Sequence, residues 1–420
     1  MQTDQRIAII GAGAAGLSAA YHLRRKGYRR ITVFDRRSRV GGKCWTETHD
    51  GRVYERGALV VGNPYTCVRE LIHAAGLKTV PFDPIRLFDT RYAGESVHLG
   101  FAGHRRPGRY AARLLATYLM HCRKLSRSGF AGLENTAIAA ETMDTWLRKR
   151  HLLRLKSLLA PYYVGWGYGY LEHVGALYVF KLLDFYLRAL VRERLLPNRG
   201  CSMGYIPEGY QRLWEIIAES CDLQLDVTID SVRRTDAVAI ETGARQRRFD
   251  ALILACPLDN ALRFLDAGPT EHRLFSKIKT IDFYTITAEA EGLPPDALVF
   301  VNTYLTPAKT GHMVSWYRRW PDSGIIVFYI IGGAGMSQDR LAATLQQDLI
   351  KGGASLRRVH GCDHWRYFPH VATADLANGF YSELEAMQGM DRTWYAGELL
   401  SFPTVEHVVA YSRHLVERHF

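Results

Sequence analysis

The chain has 420 residues with a formal net charge of +12; 47% of its residues are hydrophobic and 23% charged. That length holds two or three domains with sizeable cores, and the apolar runs, such as Gly57 to Gly62 and Ala251 to Pro257, are far too short to cross a bilayer. The basic balance arrives without a recognised nucleic-acid-binding module, which argues against that class of partner.

In chain order, Arg6-Ile-Ala-Ile-Ile10 reads as a strand. It runs directly into Gly11-Ala-Gly13-Ala14-Ala15-Gly16, which opens a helix. Gly11 permits the tight turn, Gly13 lets a pyrophosphate approach the backbone, and Gly16 lets the helix press on the sheet. The free N–H groups at the helix start then face the phosphates. Asp35 closes the next apolar run, Ile31 to Asp35, where a carboxylate meets the ribose hydroxyls of an adenine dinucleotide. Strand, glycines, helix and acid stand in register, which a chance glycine turn does not provide.

The segment Arg36-Arg-Ser-Arg-Val-Gly41-Gly42-Lys43 follows at once. Its glycine pair brings a second backbone near the pyrophosphate, and Lys43 adds a point charge. Thr46 to Tyr54 reads as a hairpin around the Asp50-Gly51 turn, ending in Glu55-Arg-Gly57-Ala58-Leu59. Asn63-Pro64 caps a helix, Tyr65 to Ala75, stopped by Gly76.

From about Tyr65 to Gly200 the pattern is mostly helical, with arginine-rich polar faces. Pro84-Ile-Arg86-Leu-Phe88 places an arginine in an apolar, proline-bracketed stretch, a setting suited to an anion. Between His104 and Arg127 lies a basic amphipathic helix. It reads as a solvated cap, or as a docking face for an acidic carrier protein, a CoA phosphate or an anionic membrane. Pro161 to Tyr170 interleaves aromatics with glycines, and Gly175 to Phe185 is an apolar helix. Such aromatics serve a core or a surface along which a flat, chain-like ligand lies.

A helix Gln211 to Glu219 follows Gly209-Tyr210. Leu225 to Arg234 and Phe249 to Pro257 read as short strands, and Ile278 to Ile331 as an antiparallel sheet. Gln338 to Leu349 is helical. Val359 to His370 reads as strand and turn, so its histidines are not assigned to a metal. Trp394-Tyr-Ala-Gly397-Glu398 is a strand ending in Gly-Glu, leading through Ser401-Phe-Pro403-Thr404 to a helix, Val405 to about His419. The sequence holds no Ser/His/Asp elbow, no HExxH and no P-loop, so a cofactor is expected to carry the chemistry. Seven cysteines without a C-x-x-C spacing argue against a disulfide framework or zinc site; with the polar Met1 to Gln5, they lead us to expect a cytoplasmic protein.

The glycine pair, the hairpin and the terminal Gly-Glu segment resemble the FAD-binding parts of the amine oxidase superfamily. The resemblance implies an α/β fold: a Rossmann-type FAD-binding domain (1–75, 200–268 and 372–420), a β-sheet substrate domain (76–100 and 269–371) and a helical cap (101–199). It implies cofactor contacts at Gly11, Gly13, Ala14, Ala15, Gly16, Asp35, Arg36, Gly41, Gly42, Lys43, Gly57, Ala58 and Leu59. Val227 would meet the adenine through its backbone, Glu398 beside Gly397 the ribityl and phosphate region, and the helix start at Thr404 and Val405 the flavin pyrimidine edge. No cysteine lies between Gly397 and Thr404, where some members attach flavin covalently, so dissociable FAD is expected.

Further stretches resemble a particular branch, the flavin-dependent polyunsaturated fatty acid double-bond isomerases of bacteria. These are Val40 to Cys44, Tyr54 to Ala58, Gly167-Tyr-Gly169, Ala176 to Phe185, Tyr367-Phe-Pro-His-Val371, Met387-Gln-Gly389, and Tyr395 to Glu398 with Ser401-Phe402. The resemblance implies hydride abstraction by flavin N5 from a carbon between two double bonds, and its return at another carbon. Trp166, Tyr168 and Phe185 are the candidate aromatic faces for the resulting cation. Arg86, with Phe88 beside it, would meet the fatty acid carboxylate. Two alternatives stand: an FAD oxidase or desaturase, with Lys277 or Lys279 beside the flavin, and a non-catalytic lipid escort. An acyl carrier protein or CoA at the basic face is an expected class of partner.

Overall fold

The computed structural model describes residues 3–62, 64–81, 86–88, 96–98, 108–195 and 203–420, with backbone alone at 86–88, 96–98, 108–111 and 189–195. Asn63, Pro84 and His104 of the sequence reading lie outside these residues.

Two sheets build the frame. The first is parallel and five-stranded, in the order Asp222–Gln224, Arg30–Phe34, Arg6–Ile10, Ala251–Leu254, Thr393–Tyr395. Ile7, Ala8 and Ile9 are fully buried, as a parallel strand covered on both faces requires. One helix, Ala14–Arg25, packs along the C-terminal helix Val405–His419, so the two ends of the chain close one layer.

The second sheet has seven strands, in the order Ser355–His370, Lys279–Glu291, Ile325–Ile331, Met313–Tyr317, Leu298–Val301, Arg86–Phe88, Ser96–His98. Its pairings are antiparallel except that of Arg86–Phe88 with Leu298–Val301. Between its bulges side chains alternate across it, as period-two geometry demands. Tyr284, Ile286 and Phe328 join a core with Leu341 and Leu345 of the helix Gln338–Lys351. Phe283, Val327 and Tyr329 face the other way, into the main core.

Between 108 and 195 the chain is helical, with Gly108–Leu125, Met143–Lys149, Lys156–Val164 and Ala176–Leu195 as its longer pieces. A buried cation holds two of these together. Lys181 Nζ donates to the carbonyls of Leu125 (2.7 Å), Arg127 and Gly129 at the end of the first helix. Nearby, Tyr118 Oη donates to the buried Asp184 (3.0 Å), which also pairs with Arg188. The hairpin forms as expected from Thr46–His49 and Arg52–Glu55, with Asp50 and Gly51 both at positive φ (50° and 73°), the backbone of a type I′ turn.

Two segments differ from the sequence reading. Leu225 to Asp230 is not strand: the chain leaves the parallel sheet after Gln224, and Asp226 and Val227 donate their amides to Arg37 and Asp35 carbonyls (2.9 and 3.0 Å). Those hydrogen bonds tie the segment to the strand-end loop instead of a ladder. Val359 to His370 contains no turn but belongs to one 16-residue strand, paired along its length with Lys279–Glu291. Two of its histidines meet acids across that pairing, His360 with Glu289 (2.9 Å) and His364 with Asp282 (2.7 Å).

Candidate flavin-binding and active site

A cavity of about 540 Å³ opens at the carboxyl ends of the parallel strands and continues to the inner face of the second sheet. The glycine loop makes its floor. Gly11 sits at φ +115°, and a Cβ there would stand 2.7 Å from the Ala255 carbonyl oxygen, so only glycine fits the turn. Gly13 caps the helix Ala14–Arg25 without a side-chain hydrogen bond, leaving the first amides available to an anion. A Cβ on Gly42 would fall 3.0 Å from Gly13 Cα, so the two glycine segments pack directly together as one backbone surface.

Asp35 is held by two amides, Ala12 N at 2.8 Å and Arg37 N at 2.9 Å, which aim its carboxylate along the floor. Arg37 donates to the Gly42 carbonyl (3.1 Å) and lies over Trp365. On the far wall Lys43 Nζ meets Glu398 Oε2 at 2.5 Å, with Lys43 also above the Tyr367 ring. Thr404 caps the C-terminal helix through His407 N (3.2 Å) and stands 2.6 Å from His407 Nδ1. Burial holds the His407 ring well below the usual imidazole range, hence neutral.

Of the residues singled out in the sequence, Gly11, Gly13, Ala14, Ala15, Asp35, Arg36, Gly41, Gly42, Lys43, Gly57, Ala58, Leu59, Val227, Gly397, Glu398, Thr404 and Val405 line this cavity, with Trp166 and Tyr168. Gly16 lies behind the floor, where a Cβ would be 1.9 Å from the Gly11 carbonyl oxygen. Phe185 packs behind the wall against Tyr65 (5.5 Å) and His407 (5.2 Å); it is Tyr65 that borders the space. Arg86 and Phe88 lie on a strand running parallel to Leu298–Val301, and their side chains fall outside the described residues. Lys277 pairs with Asp375 (2.7 Å) and Lys279 is exposed on its strand, whereas the lysine that borders the cavity is Lys43.

The sheet contributes a wall that motif reading did not assemble. Tyr168 stacks on Tyr367 (5.7 Å, 23°), Tyr367 on Phe283 (5.2 Å, 27°), and Phe283 on Tyr329 (5.9 Å, 9°). All four rings border the cavity. Burial pushes the three phenols well above their ordinary range, so they are neutral. The neighbouring hydroxyls on the lining are engaged by the backbone: Thr285 Oγ1 donates to the Arg56 carbonyl (3.0 Å) and Ser315 Oγ to the Gly165 carbonyl (2.8 Å). The alternation of Phe283 with Thr285 was the available signal, but only cross-strand register shows which rings meet.

A side-chain-free surface of two joined glycine backbones, an uncapped helix start and an acid at the end of the second strand fit a dinucleotide, and the cavity continues from there to the aromatic ladder. Fold and cavity thus define a protein of the Rossmann plan with a second, largely antiparallel sheet bordering the same cavity. The chain belongs to the flavin-containing amine oxidoreductase family, whose model matches residues 14–351.

Among solved structures, the CLA-producing fatty acid isomerase from P. acnes is similar over 100% of both chains, with a TM-score of 0.88 and 28% identity. Wild-type putrescine oxidase bound to putrescine superposes with a TM-score of 0.74 and 17% identity over 99% of this chain and 98% of that one, a likeness of fold. In sequence, tryptophan 2-monooxygenase of Pantoea agglomerans pv. gypsophilae is 50% identical over 54 residues (13% of this chain), and putrescine oxidase of Kocuria rosea 34% over 102 residues (24%). Those matches span only 10% and 20% of the two relatives.

Proposed function

We propose that the protein binds FAD non-covalently and moves a carbon–carbon double bond within an unsaturated fatty acid or polyene acyl chain, with no net redox change. The observation that carries this reading is the Tyr168–Tyr367–Phe283–Tyr329 ladder, a dry aromatic wall whose neighbouring hydroxyls are spent on backbone carbonyls. Such a wall suits an apolar chain. Full-length likeness to a fatty acid isomerase supports the substrate class.

Gly13, Gly42, Asp35 and Glu398 would hold the dinucleotide. A bound flavin supplies reversible two-electron acceptance from a carbon–hydrogen bond. The chain's own residues position and shelter the substrate. Tyr168 and Trp166 present ring faces to the reacting stretch, and each face offers a delocalised cation about 0.5–2 kcal/mol. The buried ladder excludes water that would trap such a cation. The neutral phenols neither donate charge nor take a proton at working pH. Arg86, beside the strand whose Leu298 borders the cavity, would receive the carboxylate of a free acid.

Anaerobic incubation of the flavin-loaded protein with linoleate, followed in the conjugated-diene band, tests the reading. Conjugated product over many turnovers is expected. Flavin bleaching once and recovering only in air would instead establish the oxidase or desaturase alternative, and an unchanged spectrum with every polyene tried would remove the isomerase reading.

A further inference from the structure

We propose that the helix Gly108–Leu125 is an interfacial anchor that docks the protein on an anionic lipid bilayer. The proposal concerns a surface away from the cavity and stands whichever reaction the flavin site performs.

Among its described side chains the helix buries Leu114, Tyr118 and Leu125 in the core and packs Cys122 against it. Its outer side shows Leu115 (44% exposed), Leu119 (59%) and Met120 (73%). Among the described residues eight large hydrophobic side chains are exposed in all, so three within six positions make a patch rather than the usual scatter. Arg113, Arg123, Lys124 and Arg127 are exposed around it. No acidic residue occurs between Glu95 and Glu134, a stretch with seven arginines and lysines from Arg105 to Arg127. Ion pairs neutralise much of the neighbouring helical surface, as with Lys149 and Arg150 on Glu141 and Lys156 on Asp144 and Glu172. Among the described residues no acidic side chain pairs with the four basic side chains around this patch.

Apolar side chains interleaved with long cations on one exposed helix are the pattern of a segment lying in a headgroup layer. The leucines and methionine enter the acyl boundary while arginine and lysine stems reach back to the phosphates. An acidic protein partner would answer the charge, but a single convex helix with three protruding apolar side chains offers it little of the area a stable protein interface buries. A bilayer needs only depth and charge. None of the described helices is long and apolar enough to span a membrane, so the helix would lie on the surface.

The mounting is rigid. Lys181 grips the carbonyls of Leu125, Arg127 and Gly129, and Tyr118 is tied to Asp184. Lys181 and Asp184 share the helix of Phe185, which packs on the cavity residue Tyr65. The helix would therefore dock without having to fold on arrival.

The test is co-sedimentation of the flavin-loaded full chain with phosphatidylglycerol–phosphatidylcholine vesicles and with phosphatidylcholine vesicles alone. Binding is expected on the anionic vesicles and is expected to fall with added salt. Leu119→Glu/Met120→Glu and, separately, Arg123→Glu/Lys124→Glu should each lower the partition coefficient roughly ten-fold or more. Ile350→Glu, at an exposed site elsewhere, should leave it unchanged. Flavin content and melting temperature report that each variant folds. Absence of binding to anionic vesicles, equal binding to both vesicle types, or binding indifferent to both double variants would overturn the proposal. So would retention of an acidic acyl carrier protein by this helix in a chain that ignores vesicles.

Discussion

Lys43 Nζ and Glu398 Oε2 stand 2.5 Å apart although 355 residues separate them. The contact joins the glycine-pair loop near the start of the chain to the Gly-Glu turn near its end. Both side chains border the cavity and keep some solvent exposure (30% and 22%), so the pair closes the cavity wall from two directions.

If this wall grips the cofactor, Glu398→Ala should weaken flavin binding roughly ten- to a hundred-fold, the worth of a charged hydrogen bond of about 1.5–3 kcal/mol. Lys43→Met should act in the same direction. Flavin titration of the apoprotein reads both, and unchanged affinity in both variants would remove the pair from the site.

The aromatic ladder should govern turnover and not cofactor retention. Tyr168→Leu is expected to slow the reaction by roughly 2- to 30-fold, from the about 0.5–2 kcal/mol a ring face offers a cation, with flavin content intact. Phe185→Leu should cost less, because Phe185 sits behind Tyr65 and His407 rather than on the cavity lining. Equal losses would mean that the effect is general packing.

Arg86→Leu should raise the KM for a free fatty acid about ten-fold or more while barely changing that for its methyl ester, since one charge-assisted contact is lost only for the acid. Steady-state kinetics on both substrates decides; parallel losses would rule out an anchoring role.

Glu55 is fully buried, accepting from Tyr210 N and Thr46 Oγ1 (both 2.8 Å) with Arg319 at 3.6 Å. Burial raises its pKa from 4.5 to about 7. The folded state therefore holds a proton that the unfolded chain releases, and stability from this group is present at low pH and lost as pH rises through that window. Relative to wild type, Glu55→Gln should gain melting temperature between about pH 5 and about pH 8. A pH-independent difference would show that Glu55 stays ionised when folded.

Glu406 caps a helix to which it does not belong. Its carboxylate accepts from Cys67 N and Val68 N (both 2.9 Å) and Thr66 Oγ1 (3.1 Å) at the start of Thr66–Ala74. Glu406→Ala should cost about 1–3 kcal/mol of stability, as expected for buried donors left unpaired, measured by denaturant unfolding. A loss below a few tenths would mean that water takes over the cap.

Local chemistry was legible in the sequence. Glycines with a steric reason, the acid after the second strand, the Asp50-Gly51 turn and the helix after Thr404 are each specified within a few residues, so Gly11 to Asp35, Gly41 to Leu59 and Gly397 to Val405 could be read as one cofactor surface. Motif and resemblance together carried the family. The path of Leu225 to Asp230 was not legible, because backbone hydrogen bonds to Asp35 and Arg37 override a strand-like pattern. Nor was the placement of Phe185 behind Tyr65, since an apolar helix face reads alike toward a core or a pocket.

Only the tertiary structure decided which distant side chains meet. The ladder draws on a loop and three strands from 168 to 367, and the Lys43–Glu398 pair on opposite ends of the chain. Sequence patterns report turn geometry and periodicity, which are local. Cross-strand register and the closing of one chain end on the other are set by packing among segments hundreds of residues apart, and it is there that the aromatic wall of the cavity is made.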